Sequence, residues 1–236
     1  MLLIRESKLT TLFLACPRTA SSAAEAALKA AFGPSVLEIH PTHGVVLDAG
    51  TRPPWDRVVT TMRSPVSFYL SWINYVMNSP AHWPLGSAVA SDWSAGQLIR
   101  GLIEPEDGGR GFPLSPLFLS GQDEADLRLL LSTGRSLWQA ATMLYGGSYG
   151  GGVLLVDQGR LGEGLSEVFE CTIEPPQLNV TATVWPARRA LLSDVPMDVL
   201  EEVGAVDGPL AAQLGYEGVL SERAARAVTH FPSPTC

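Results

Sequence analysis

The sequence predicts an α/β protein of three layers, a mostly parallel central sheet with helices on both faces. Three observations lead there. Short apolar runs of strand length, TLFLAC, RVVTTM and VLLVD, alternate along the chain with longer stretches of helical periodicity. TLFLAC and VLLVD are largely apolar rather than apolar on alternate residues, the pattern of strands covered on both sides. The chain has 236 residues with no internal repeat and no evident linker, which suits one domain over 1–236.

The elements follow in order. The N-terminal stretch MLLIRESKLTTLFLAC has too short an apolar run for a cleavable signal and reads as buried strand. Thr11 to Cys16 is a strand that stops at Pro17, and the small polar residues RTASS lead into AAEAALKAAF. That alanine-rich segment is a strong helix former, with Ser21 or Ser22 as its N-cap and Gly33-Pro34 as its stop. VLEIH is a second strand and VVLDAG part of a third. Arg57 to Met62 is another strand, followed by a helix from Pro65 to Met77. Its apolar residues Phe68, Leu70, Trp72, Ile73, Val76 and Met77 surround much of the helix, so burial is expected. Residues 79–121 are loop-like, rich in Pro, Gly, Ser and Trp, with one short helix near Ala95 to Ile103. A segment this long inside a compact domain reads as a binding insertion. A helical pattern covers Glu124 to Leu144, Val153 to Asp157 is a strand, and Gly162 to Phe169 a helix. Helices are expected near Pro196 to Val203 and Ser221 to Val228.

Composition narrows the function. With 46% hydrophobic and 17% charged residues the chain is globular rather than disordered. Its net charge of −8 repels nucleic acid and anionic membranes, yet leaves room for a small anion held by local N–H groups and one or two arginines. Only two of the sixteen basic residues, Lys8 and Lys29, are lysines, as in a high-GC, bacterial-type genome, so arginine can stand where relatives carry lysine. Cys16, Cys171 and Cys236 have no metal-ligand spacing and suit a reducing, cytoplasmic setting. No run reaches the ~20 apolar residues that span a bilayer.

Two segments carry chemistry. Cys16-Pro17-Arg18-Thr19-Ala20-Ser21-Ser22 lies between a buried strand and a strong helix. Small residues let the backbone curl so that successive N–H groups converge, and the helix N-terminus adds positive partial charge. Arg18 and the hydroxyls of Thr19, Ser21 and Ser22 complete a phosphate cradle. The same residues also read as a plain strand-to-helix turn capped by serine. The Walker pattern G-x-x-x-x-G-K-S/T is absent, which argues against ordinary ATP or GTP hydrolysis. The second segment is Arg63-Ser64-Pro65 with Ser71. Arg63 follows a strand, at the carboxyl edge where ligands of open α/β sheets collect, and Ser71 lies two turns into the next helix. Together they can grip one phosphate, although Arg63 alone also suits a surface ion pair.

The pair resembles the PAPS-dependent sulfotransferase family, whose donor is 3′-phosphoadenosine 5′-phosphosulfate. CPRTASSAAEAAL is similar to the family's strand-loop-helix, commonly P-K-S/T-G-S/T-S/T, around the 5′-phosphosulfate. VVTTMRSPVSFYLS is similar to its second motif, R-x-P with a serine eight residues after the arginine, which binds the 3′-phosphate. LLVDQGRLGEGLSEVFECTI and LNVTATVWPARRALL through AAQLGY are similar to its later segments, so the resemblance covers most of residues 10–216. It implies a P-loop-like sulfotransferase fold with Arg18, Thr19, Ala20, Ser21, Ser22, Arg63 and Ser71 on the co-substrate. Arg18 stands where the family has lysine and Ala20 where it has glycine; the first keeps the charge, the second adds a Cβ.

Sulfuryl transfer to a hydroxyl needs a base. EIHPTHGVV resembles the place where many family members carry theirs; Thr42-His43 matches best and His40 second, while a carboxylate among Glu104, Glu106 and Asp107 is the alternative. The resemblance implies an acceptor that is a small molecule or glycan, and no metal. A non-catalytic nucleotide-binding scaffold of the same fold is the rival reading.

Overall fold

In the computed structural model, which describes residues 2–16, 19–38, 55–77, 93–103, 136–147, 153–177 and 190–231, the three apolar runs are neighbouring parallel strands. In chain order the described elements are β1 (Leu2–Arg5), β2 (Thr10–Leu14), α1 (Ser21–Phe32), β3 (Val36–Glu38), β4 (Arg57–Met62), α2 (Pro65–Met77), α3 (Ala95–Ile103), α4 (Leu137–Gly147), β5 (Val153–Asp157), α5 (Leu161–Phe169), α6 (Met197–Gln213) and β6 (Val228–His230). They divide into two compact units. The first comprises Met1–Arg63, Thr142–Leu178 and Glu222–Cys236; the second comprises Ser64–Ala141 and Asn179–Ser221.

The first unit holds a six-stranded mixed sheet in the order β3-β1-β2-β4-β5-β6. Its centre is parallel, with Leu12 opposite Val58 and Val59 opposite Leu154. The N-terminal stretch is a strand, as expected, but it turns back on β2 as an antiparallel hairpin, and β3 and β6 pair antiparallel at the two edges. Helices α1 and α5 pack on one face. Leu2, Ile4, Phe13, Val59 and Val156 from the sheet meet Ala24, Ala27 and Leu28 of α1 and Leu165, Val168 and Phe169 of α5. Leu12, Leu14, Val58 and Leu155, which alternate with them, are buried too. Strands covered on both sides take mostly apolar residues, and the buried threonines among them, Thr11, Thr60 and Thr61, are each hydrogen-bonded.

Gly33 ends α1 at a φ of 46°, a left-handed conformation that glycine accepts without strain. A second glycine matters through close approach. A Cβ at Gly164 would lie 2.6 Å from Val156 Cγ1 and 2.8 Å from the Ala227 carbonyl oxygen. Gly164→Ala is therefore expected to destabilise the protein by about 2 kcal/mol in urea titration, overpacking outweighing the ~1 kcal/mol that alanine gains in helix propensity. A neutral result would mean that α5 can lift from the sheet without loss.

The segment from Ser221 to Val228, expected to be helical, is a set of turns ending in β6. Its backbone groups are claimed by other parts of the unit. Ala224 N–H donates to Asp157 Oδ2 at 3.1 Å, Asp157 N–H donates to Ala227 O at 2.9 Å, and Arg160 donates to Ala225 O at 2.8 Å. Those bonds occupy groups that a helix would need.

In the second unit α3 packs against α2 and α6. Ser94 and Gln97 form a capping box at the start of α3: Gln97 N–H donates to Ser94 Oγ, and Ser94 N–H donates to Gln97 Oε1 at 2.8 Å. Helix α2 is largely buried, as its pattern predicts, and Asn74 makes two bonds with the Ala190 backbone at 2.8 and 3.0 Å. Helix α6 continues past the expected end near Val203, through Pro209 to Gln213. Val199, Val203, Asp207 and Ala211 recur every fourth residue on one buried face and carry it on. The helical pattern over Glu124–Leu144 is described only from residue 136, where α4 begins at Leu137; residues 45–50 lie outside the described residues.

Candidate functional site

The carboxyl ends of β2 and β4 lie side by side, because the two strands are parallel neighbours with Leu14 opposite Thr60. The loop after β2 therefore begins next to the residues that lead into Arg63. Thr60 Oγ1 donates to Leu14 O at 2.9 Å and ties the strand ends together. Cys16 N–H bonds Leu14 O at 3.1 Å as the chain leaves the sheet.

Thr19 pins the loop. Its hydroxyl lies 2.8 Å from Cys16 O and 2.6 Å from Thr61 Oγ1, and both threonines are buried. A hydroxyl has one proton, and the carbonyl can only accept; so Thr19 donates to Cys16 O and Thr61 donates to Thr19. The Thr19 proton is thus used inside the loop and is not offered to a ligand. What Thr19 contributes is placement.

Next, Ala20 takes φ 63°, ψ 23°, and α1 starts directly behind it, with Ala24 N–H donating to Ala20 O at 3.0 Å. The expected serine cap is not formed: the cap position is Ala20, which has no side-chain acceptor, and Ser21 is the first helical residue. Anchoring Thr19 to β4 makes the chain turn one residue earlier than the serines. Alanine is an uncommon residue in the left-handed region, which is why glycine suits such a turn. The first-turn N–H groups of α1 are left without a side-chain cap, beside the β4 end. Ser21 is buried and Ser22 exposed. Cys16 is no nucleophile here: burial pushes its thiol up to about 12, only partly offset by the Thr19 hydroxyl.

Arg63 follows β4, half-buried, two residues beyond Thr61. In the opposing register Asp157 ends β5 beside Met62, fully buried and accepting from Ala224 N–H. Ser64 and Ser71 belong to the second unit. Ser64 precedes α2, with Phe68 N–H donating to its carbonyl at 2.9 Å; its hydroxyl is buried and bonds no described group. Such an orphan is a place where a ligand oxygen would be welcome. Ser71 is buried on α2. Arg18, His40 and His43 lie outside the described residues, as do Glu104, Glu106 and Asp107.

The sequence reading brings the loop, the start of α1 and Arg63 to one sheet edge, and it missed Thr61 and the left-handed turn at Ala20. A threonine pair inside an apolar run reads as ordinary strand; the only hint is that Thr61 stands two residues before an arginine in a strand-ending position. Among the described residues no group of three or more His, Cys, Asp or Glu could hold a metal ion, and no helix is long and apolar enough to cross a membrane. Comparison of the chain with protein-family models, with curated proteins and with solved structures finds no match.

Proposed function

We propose that the chain is a PAPS-dependent sulfotransferase acting on a hydroxyl of a small-molecule or carbohydrate acceptor. The observation that carries the reading is the Thr61–Thr19 bond, which holds the loop after β2 against the strand that delivers Arg63. A ligand with two phosphate groups needs donors from two such turns. The uncapped first turn of α1, with Ser21, Ser22 and Arg18, suits the phosphosulfate end; Arg63, with Ser71 by resemblance, suits the 3′-phosphate.

In the reaction the acceptor oxygen forms a bond to sulfur as the bond from sulfur to the 5′-phosphate oxygen breaks. His43, or His40, takes the acceptor proton, and adenosine 3′,5′-bisphosphate leaves. Oriented N–H donors and Arg18 stabilise charge growing on the departing oxygen, the kind of preorganised electrostatics that usually supplies the largest share of catalysis.

Retention on immobilised adenosine 3′,5′-bisphosphate tests the assignment. Wild-type protein is expected to bind, and Arg63→Ala to lose retention, since removing a charge-assisted phosphate contact costs about 2 kcal/mol or more. Retention unchanged in Arg63→Ala would remove the site. Retention without sulfuryl transfer, unaffected by His43→Ala and His40→Ala, would assign the chain to binding alone.

A further inference from the structure

We propose that Thr61 is the positioning residue of the loop after β2: through Thr19, its hydroxyl keeps the Ala20 turn closed and so aims the first-turn N–H groups of α1. The inference rests on reading that loop as an anion site and adds the residue that sets its geometry. The chain of bonds runs one way, from Thr61 Oγ1 to Thr19 Oγ1 at 2.6 Å and from Thr19 Oγ1 to Cys16 O at 2.8 Å. Both hydroxyls are buried, so water does not replace either bond. The turn they close needs holding. Ala20 sits at φ 63°, a conformation disfavoured roughly tenfold for a residue with a Cβ, and such residues persist where surrounding structure over-determines them. Here the over-determination comes from the sheet. Thr61 belongs to β4, where it lies opposite Val156 of β5, one residue past the last β2 pair of Leu14 with Thr60.

The Cys16 thiol reports on the loop without any ligand. It is 4% exposed, whereas Cys171 is exposed and serves as an internal reference. Alkylation by iodoacetamide, followed peptide by peptide with mass spectrometry, would be run beside titration with adenosine 3′,5′-bisphosphate. Thr61→Val keeps the shape and removes the donor. It is expected to speed Cys16 labelling roughly five- to tenfold, the worth of one buried hydrogen bond, and to weaken bisphosphate binding by a similar factor. Thr61→Ser, which restores the hydroxyl, should match wild type in both. Adding Ala20→Gly to Thr61→Val should bring labelling back towards wild type, because glycine adopts the turn unaided.

Labelling unchanged in Thr61→Val overturns the proposal. Faster labelling with unaltered bisphosphate affinity overturns the positioning role while leaving the functional reading intact. Wild-type protein that ignores the bisphosphate, yet still labels faster in Thr61→Val and normally in Thr61→Ser, removes the functional reading and leaves the clamp in place.

Discussion

Arg57→Ala is expected to lower the unfolding free energy by about 3 kcal/mol, because one substitution dismantles a mostly buried network at the amino end of β4. The guanidinium donates to Thr11 Oγ1, to Val168 O and to Glu6 Oε2, each at 2.7 Å, and Thr11 donates to the same Glu6 oxygen at 2.7 Å. It also lies 5.0 Å from the centroid of the Phe169 ring. The Arg57 and Glu6 side chains are about four-fifths buried, at 20% and 19% exposure. Alanine therefore leaves a largely desolvated carboxylate and a backbone carbonyl short of donors. Lysine would keep the charge but lacks the fork that reaches three acceptors at once. In urea titration Arg57→Ala combined with Glu6→Gln should cost less than the sum of the single changes. A loss below about 1 kcal/mol for Arg57→Ala would mark the network as an ordinary surface ion pair.

Stability should also fall as the pH rises from about 4 to 7, by on the order of 2 kcal/mol, through Asp207 alone. Asp207 on α6 is fully buried and accepts from Tyr69 Oη at 2.6 Å and from Ser136 Oγ. Burial pushes its carboxyl up from 3.8 to about 6, the two hydroxyl donors holding the rise in check. Tyr69 is driven well above its ordinary value, by burial first and the Asp207 charge second. The sign is the reverse of the familiar acid-lability of paired carboxylates. Between pH 3.8 and about 6 the native state binds more protons than the unfolded chain, so stability is highest at the acid end of the window and declines through it. Asp207→Asn has no charge to desolvate. Its stability relative to wild type should rise by about 2 kcal/mol between pH 4 and pH 7. A difference that stays flat across that range would sink the argument.

Local signals translated well where the chain obeys its neighbours. The span of α3 matches its sequence reading because Ser94 and Gln97 mark the start by side-chain chemistry. The runs around β4 and β5 were legible because consecutive β-branched and apolar residues over five or six positions suit a strand buried on both faces. Pairing was less so. Nothing in LLIR says that it folds back on β2, since register depends on a partner outside any local window. SERAARAV has a helical composition, yet Asp157 and Arg160 claim its backbone. At the site, the meeting of loop and Arg63 follows from parallel topology, while the left-handed Ala20 does not, because alanine has no preference for that region. The residue before it is tied to β4 by a hydroxyl pair 42 residues apart in sequence, which no local window shows.

The first unit is assembled from three separated stretches of chain, and this has a consequence for synthesis. Strand β4 finds β2 and the Glu6 carboxylate upstream as soon as it leaves the ribosome. Its other neighbour, β5, comes only after residues 63–152 have been translated, an interval of roughly 5–20 s at ordinary elongation rates. During that time one side of an apolar strand has no native partner, and the carbonyl of Val168 that Arg57 binds does not yet exist. The nascent chain is most exposed to wrong partners in this interval, when chaperones would have most to do.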